Sequence, residues 1–139
     1  MISVEQIILE VLREDATLAG VVGTRIYAEL PEGVARPVVT VESSGGRAGD
    51  SESPNWLLLP TVQVDARGVT KASALAAAGA AHDAVIAAPR SNSVTAAGVV
   101  TRVTATYPVW IPDDDWPTPN GEPGPRYIMT VRVAAHPNP

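Results

Sequence analysis

A chain of 139 residues and 14.5 kDa has the size of one domain built around one core. Its formal charge of −5 and pI near 4.9 exclude a general binder of phosphate backbones, which needs a basic face to displace counterions. With no Cys, a disulfide framework and a thiolate zinc site are excluded too. No basic leader or bilayer-length apolar run stands in the sequence, so a protein soluble where it is made, with no membrane partner, is expected. Phe is absent, Ala and Val supply most of the apolar volume, and 13 Pro and 11 Gly punctuate the chain. That mixture predicts β-branched strands joined by stiff, irregular loops.

Ser3 followed by Gln6 has the pattern of a capping box, and Val4, Ile7, Ile8, Val11 and Leu12 recur at helical spacing, so a first helix is predicted from Ser3 to Asp15. Ala16 to Val22 adds a short turn that Gly23 stops. Arg25 to Leu30 is expected to be extended, and Arg36 to Ser43 to form a strand through Val38, Val39 and Val41. The Gly- and Ser-rich run Ser44 to Asn55 reads as a loop. Trp56 to Gly68 resumes a strand with Val62, Val64 and Ala66 on one side, and Pro60 suggests a sheet edge or a bend. Thr70 to Ala88 is an Ala-rich helix whose buried stripe is expected to hold Leu75, Ala78, His82, Val85 and Ile86.

Val94 to Ile111 favours β structure, with Val99, Val103 and Tyr107 alternating against Arg102, Thr104 and Thr106. After a Pro-, Gly- and Asp-rich loop from Pro112 to Pro125, Tyr127, Met129, Val131 and Val133 alternate against Arg126, Thr130 and Arg132, so the two stretches are expected to form a hairpin. This order does not alternate as parallel βαβ units do. The predicted fold is α+β: a mainly antiparallel sheet of about four to five strands with two helices on one face. Residues 1–135 are assigned to a single domain and 136–139 to a flexible tail.

The search for catalytic chemistry finds little. Ser43, Ser44, Ser51 and Ser53 are loop formers without an activating pattern, and His136 lies in the expected tail. His82, on the apolar side of a helix, reads as a packed or boundary histidine. Asp113, Asp114 and Asp115 are adjacent, whereas calcium loops alternate ligands with spacers, so an acidic turn or interface patch is expected rather than a metal site. Gly45-Gly46-Arg47-Ala48-Gly49 lacks the Gly-Lys-Ser/Thr ending of a phosphate loop. No catalytic residue, cofactor or metal is predicted. Trp56, Trp110 and Trp116 all fall at strand ends or in loops, where tryptophan often covers the core edge, as expected for Trp110; for Trp116 an anchor in a neighbouring subunit stands beside that reading. The residues expected to meet a partner are Arg47, Asp50, Glu52 and Trp56 around the first long loop, and Trp116, Arg126 and Arg132 around the second.

The run Asp15-Ala16-Thr17-Leu18-Ala19-Gly20-Val21-Val22-Gly23-Thr24-Arg25-Ile26-Tyr27, leading through Pro31 to Arg36-Pro37-Val38-Val39-Thr40-Val41, resembles tail terminator (tail completion) proteins of long-tailed, non-contractile phages. In that family a capped helix leads into a Val-Gly-x-Arg-Ile-Tyr segment and then a proline-preceded strand. The likeness is carried by residues 3–42, and beyond them by element order and length. It implies a structural virion protein, not an enzyme. Such a protein forms a ring, usually a homohexamer, that caps the tail tube, ends its polymerisation and offers its other face to the head connector or stopper. It would assemble in the host cytoplasm and reside at the head-tail junction. Genomic DNA would pass through without specific binding, and acidic side chains, Asp113 to Asp115 among them, suit such a channel because carboxylates repel phosphate. Two other readings stand beside it: a connector or stopper of the same particle, and a small enzyme or ligand-binding module using His82.

Overall fold

The computed structural model describes residues 4–48, 58–89 and 98–137. Helix α1 (Val4–Glu14) buries Ile7, Ile8, Val11 and Leu12 as its spacing predicts, and Leu9 as well. Ser3 lies outside the described residues. Asp15 then starts α2 (Ala16–Val22), its carboxylate accepting the Leu18 N–H at 2.8 Å, so the expected turn is a full helix of 7 residues. Gly23 ends it at φ 62°, a left-handed value that a side chain resists, and donates its N–H to the Ala19 carbonyl at 2.8 Å.

Strand β1 (Ile26–Tyr27) lies parallel to β2 (Val38–Ala48), with Ile26 opposite Val39. Three bonds fix this crossing. The Val39 N–H donates to the Arg25 carbonyl at 3.0 Å, Arg25 Nε to the Pro37 carbonyl at 2.8 Å, and Arg13 Nη2 to the Ile26 carbonyl at 2.8 Å. The Val-Gly-x-Arg-Ile-Tyr motif is thereby explained as a folding device: buried Val22 and Ile26 bracket a helix stop and an arginine that staples the next strand.

Strand β2 pairs antiparallel with β3 (Leu58–Arg67) from Val38 opposite Arg67 to Ala48 opposite Leu58. The residues from Ser44 to Ala48, expected in a loop, are therefore strand. A bulge between Ser43 and Gly45 takes up the irregularity, so the ladder continues through glycines that disfavour a strand without forbidding one. Strand β3 lies inside the sheet, not at its edge, and Pro60 sits where the pairing with β6 (Arg126–Pro137) passes from Leu58↔Ala135 to Thr61↔Arg132.

Helix α3 (Lys71–Ala87) opens on a capping box in which Thr70 Oγ1 accepts the Ser73 N–H at 3.1 Å and Ser73 Oγ accepts the Thr70 N–H at 3.0 Å. Its buried seam is almost wholly alanine: Ala74, Ala77, Ala78, Ala81 and Ala84, with Val85. Leu75, expected inside, is 48% exposed, and His82 and Ile86 are only half-buried. Small side chains let the helix axis approach the sheet, and the larger ones are turned to its flank.

Strand β4 (Gly98–Ala105) pairs antiparallel with β6, the expected hairpin. A bulge between Val100 and Arg102 changes which side chains face inward, so Val100 is buried where Val99 was expected, while Val103 packs against the core from beyond the bulge. The strand ends before Tyr107, which is exposed instead of buried. A short β5 (Val109–Trp110) then pairs with β6 at Ile128 and Tyr127. Strand β6 continues to Pro137, so His136 pairs with Val99 instead of lying in a tail.

The sheet order is β1-β2-β3-β6-β4, with β5 also on β6. The fold is α+β as predicted; all pairs but β1–β2 are antiparallel, and the sheet has 6 strands. Three helices, not two, cover it: α1 and α3 pack on one face through Val39, Val41, Val62, Val64, Met129 and Val131, and α2 packs on those helices. Among the described residues, no helix is long and apolar enough to cross a membrane.

Candidate functional site

The face of the sheet turned away from the helices carries charge at its centre. Alternation along β3 places Asp65 and Arg67 there, beside Thr40 of β2 and Arg126 of β6. Above them the chain from Pro112 to Pro125 folds into a compact loop. Asp113 and Gly124 exchange backbone bonds at 2.8 and 2.9 Å, Gly68 donates to the Pro125 carbonyl at 3.1 Å, and Thr118 donates to the Glu122 carbonyl at 2.8 Å. At Gly124 the backbone runs so close to the Trp116 carbonyl that a Cβ would collide with it.

Asp113 is the pin of this loop. Its carboxylate accepts Arg67 Nε at 3.0 Å and lies 3.5 Å from Arg126 Nη1, while its other oxygen accepts the Asp115 N–H at 3.0 Å. Arg67 also donates to Thr40 Oγ1 at 3.1 Å and reaches Asp65 at 3.4 Å, and Arg126 Nε donates to the Ile111 carbonyl at 2.9 Å. Burial raises the Asp113 pKa, but the Arg67 hydrogen bond, the Arg126 charge and the Asp115 N–H together outweigh it. The carboxyl is held below the usual carboxylate range. Arg36 lies over the Trp116 ring, 3.8 Å from its centroid, and donates Nη2 to the Trp116 carbonyl at 2.9 Å. Burial and the neighbouring Arg67 charge lower the Arg36 pKa, against a smaller opposing effect of Asp113.

Two carboxylates and two guanidinium groups thus satisfy one another, and the arrangement holds a loop instead of offering a free acid or base. The acidic triplet is not a row of three solvent-facing carboxylates. Asp113 is 7% exposed and fully engaged, and only Asp114 and Asp115 reach the surface. Arg126 belongs to the same cluster, whereas Arg132 is exposed in mid-β6. Trp116 is half-buried beneath Arg36 of its own chain, beside a cleft of about 470 Å³ lined by Gly33, Val34, Val69 and Pro117 to Pro119. Arg47 stands near the end of β2; Asp50, Glu52 and Trp56 lie outside the described residues. Among the described residues no group of His, Asp and Glu could hold a metal ion. His82 stacks on Tyr107 with centroids 5.3 Å apart, and its Nδ1 lies 3.7 Å from the carboxylate of its chain neighbour Asp83.

Sequence reasoning missed Arg36, Thr40, Asp65 and Arg67. The one available signal was the alternation of Thr61, Gln63, Asp65 and Arg67 with Val62, Val64 and Ala66 along one strand. It also missed an apolar edge around β5, with Tyr107 and Trp110 on the side of α3 and Val109 and Ile111 on the opposite side. Tyr107 is 82% exposed, Val109 and Ile111 are exposed, and Trp110 tilts against Tyr127 with Lys71 Nζ 4.8 Å from its ring centroid.

No curated protein matches the chain. Among solved structures it is similar to a chain from the virion of a native gene transfer agent particle, at 20% identity and a TM-score of 0.56, covering 97% of this chain and 94% of that one. At that identity the likeness speaks for the fold. The family model described as tail completion protein gp17 matches residues 6–122, from α1 through β5 and most of the pinned loop, and stops short of β6. The chain therefore belongs to the gp17 family of tail completion proteins, structural components of phage tails.

Proposed function

We propose that this chain is the terminator of a phage tail: a ring, taken as a homohexamer, that seats on the end of the tail tube, stops its growth and presents its opposite face to the head connector or stopper. The observation that carries the reading is the family match over residues 6–122. The pinned loop adds physical support. A projection held by buried ion pairs and a stacked arginine keeps its shape, as a part that must fit other subunits requires. Such a ring resides at the head-tail junction of the virion after assembly in the host cytoplasm. Genomic DNA passes through it without specific binding, with Asp114 and Asp115 the members of the triplet able to repel phosphate.

The test is self-association. Light scattering of the purified chain, alone and mixed with tail tube protein, is expected to show a closed oligomer of fixed mass. A chain that stays monomeric in both conditions and leaves the tube protein unbound contradicts the reading.

A further inference from the structure

The two lateral edges of the sheet are open at the same height. On one side β1 has 2 residues and covers β2 only at Val39 and Thr40, so the outer edge of β2 from residue 41 to residue 48 has no strand partner among the described residues. On the other side β4 likewise has no outer strand partner among the described residues from Val99 to Ala105. The pairings align the two edges. Ala105 of β4 lies opposite Val131, which lies opposite Val62, which lies opposite Ser43; Val100 connects through Ala135 and Leu58 to Ala48. Three antiparallel steps separate β2 from β4, so the two strands run in opposite directions. Copies related by rotation about an axis along the strands keep their strand directions. The β4 edge of one copy therefore meets the β2 edge of the next antiparallel, with the helices on the same side of a continued sheet.

A second observation marks the same flank. Strand β5 occupies the β4 side of β6, and exposed apolar side chains line this edge, Tyr107 and Trp110 on the side of α3 and Val109 and Ile111 on the opposite side. An apolar strip running on from an open strand edge is what a partner that adds a strand would cover.

We infer that neighbouring copies of this chain join edge to edge, β4 of one completing the ladder along residues 41–48 of β2 in the next, with the Tyr107–Ile111 flank closing against that neighbour. The inference rests on the ring reading and supplies its contact.

The cysteine-free sequence gives a clean test. Thr104→Cys is combined in the full chain with Ser43→Cys, Gly45→Cys or Arg47→Cys, one pair at a time. Within one copy these positions lie on strands three places apart, roughly 14 Å at the usual strand spacing, too far for a disulfide. Under mild oxidation, with tail tube protein added, at least one pair is expected to give a reducible ladder of covalent species extending beyond the dimer, with no ladder from any single-cysteine variant. If the wild-type chain forms a closed oligomer and no pair gives the ladder, edge pairing is overturned and the ring reading stands. If Thr104→Cys alone gives a dimer and nothing larger, two β4 edges meet each other and the inference fails. If the wild-type chain does not self-associate at all, both fall.

Discussion

Asp113 is the residue on which the second loop turns. Replacing Arg67 with Ala would leave Asp65 and Asp113 sharing Arg126 alone and uncover Thr40, so a loss of about 3 kcal/mol is expected from urea denaturation. A loss below about 0.5 kcal/mol would mean the cluster is held by water rather than by its own charges. The pH dependence follows from the direction of the Asp113 shift. Its folded pKa lies below the unfolded one, so the stability it contributes is fully present above the unfolded carboxylate range and is lost as the pH falls through the folded pKa. Asp113→Asn should therefore flatten the acid limb of the stability curve, and an unchanged limb would assign that dependence to other carboxylates. At Gly124, an Ala would press on the Trp116 carbonyl and lift the ring from beneath Arg36. A cost of about 1–3 kcal/mol with a red shift in tryptophan emission is expected.

At the scale of elements, α3 offers the sharpest contrast. Ala81→Leu should destabilise by about 1–3 kcal/mol, because the alanine seam leaves no room for a larger group, whereas Leu75→Ala on the flank should stay within about 0.5 kcal/mol. Thermal or urea unfolding of the two variants decides it; equal effects would contradict the seam. This is also where reading the sequence had its limits. Helices and strands were legible because Ile7, Ile8, Val11 and Leu12, or Val62, Val64 and Ala66, repeat at the period of one element. The inward side of α3 was not, because hydrophobicity favoured Leu75 over alanines whose use is their small size. The two bulges were hidden for a related reason: they shift the period-2 alternation at Ser43/Gly45 and Val100/Arg102, where a regular alternation still fits the residues on either side. The charged cluster draws on Thr40, Asp65, Arg67, Asp113 and Arg126, which only the folded sheet brings together.

For the whole molecule, the N-terminal motif pointed to the family, and several of its residues have a local folding duty, from the Asp15 cap through the Gly23 stop to the Arg25 bond on Pro37. Assembly surfaces are written differently, as side chains left uncovered, and Tyr107 and Val109 became visible only once the chain around them had folded. If that flank is buried between copies, Tyr107→Ser or Val109→Ser should each weaken self-association by about tenfold while leaving the monomer's unfolding midpoint nearly unchanged. Sedimentation at several concentrations would show it, and undiminished association would remove the flank from the interface. The central claim, that the chain ends a tail tube, is tested most directly by measuring tail lengths in electron micrographs of particles assembled without it. The proposed function predicts tubes that grow past their normal length and carry no head. Tails of normal length beside leaking heads would contradict it and assign the chain to the connector instead.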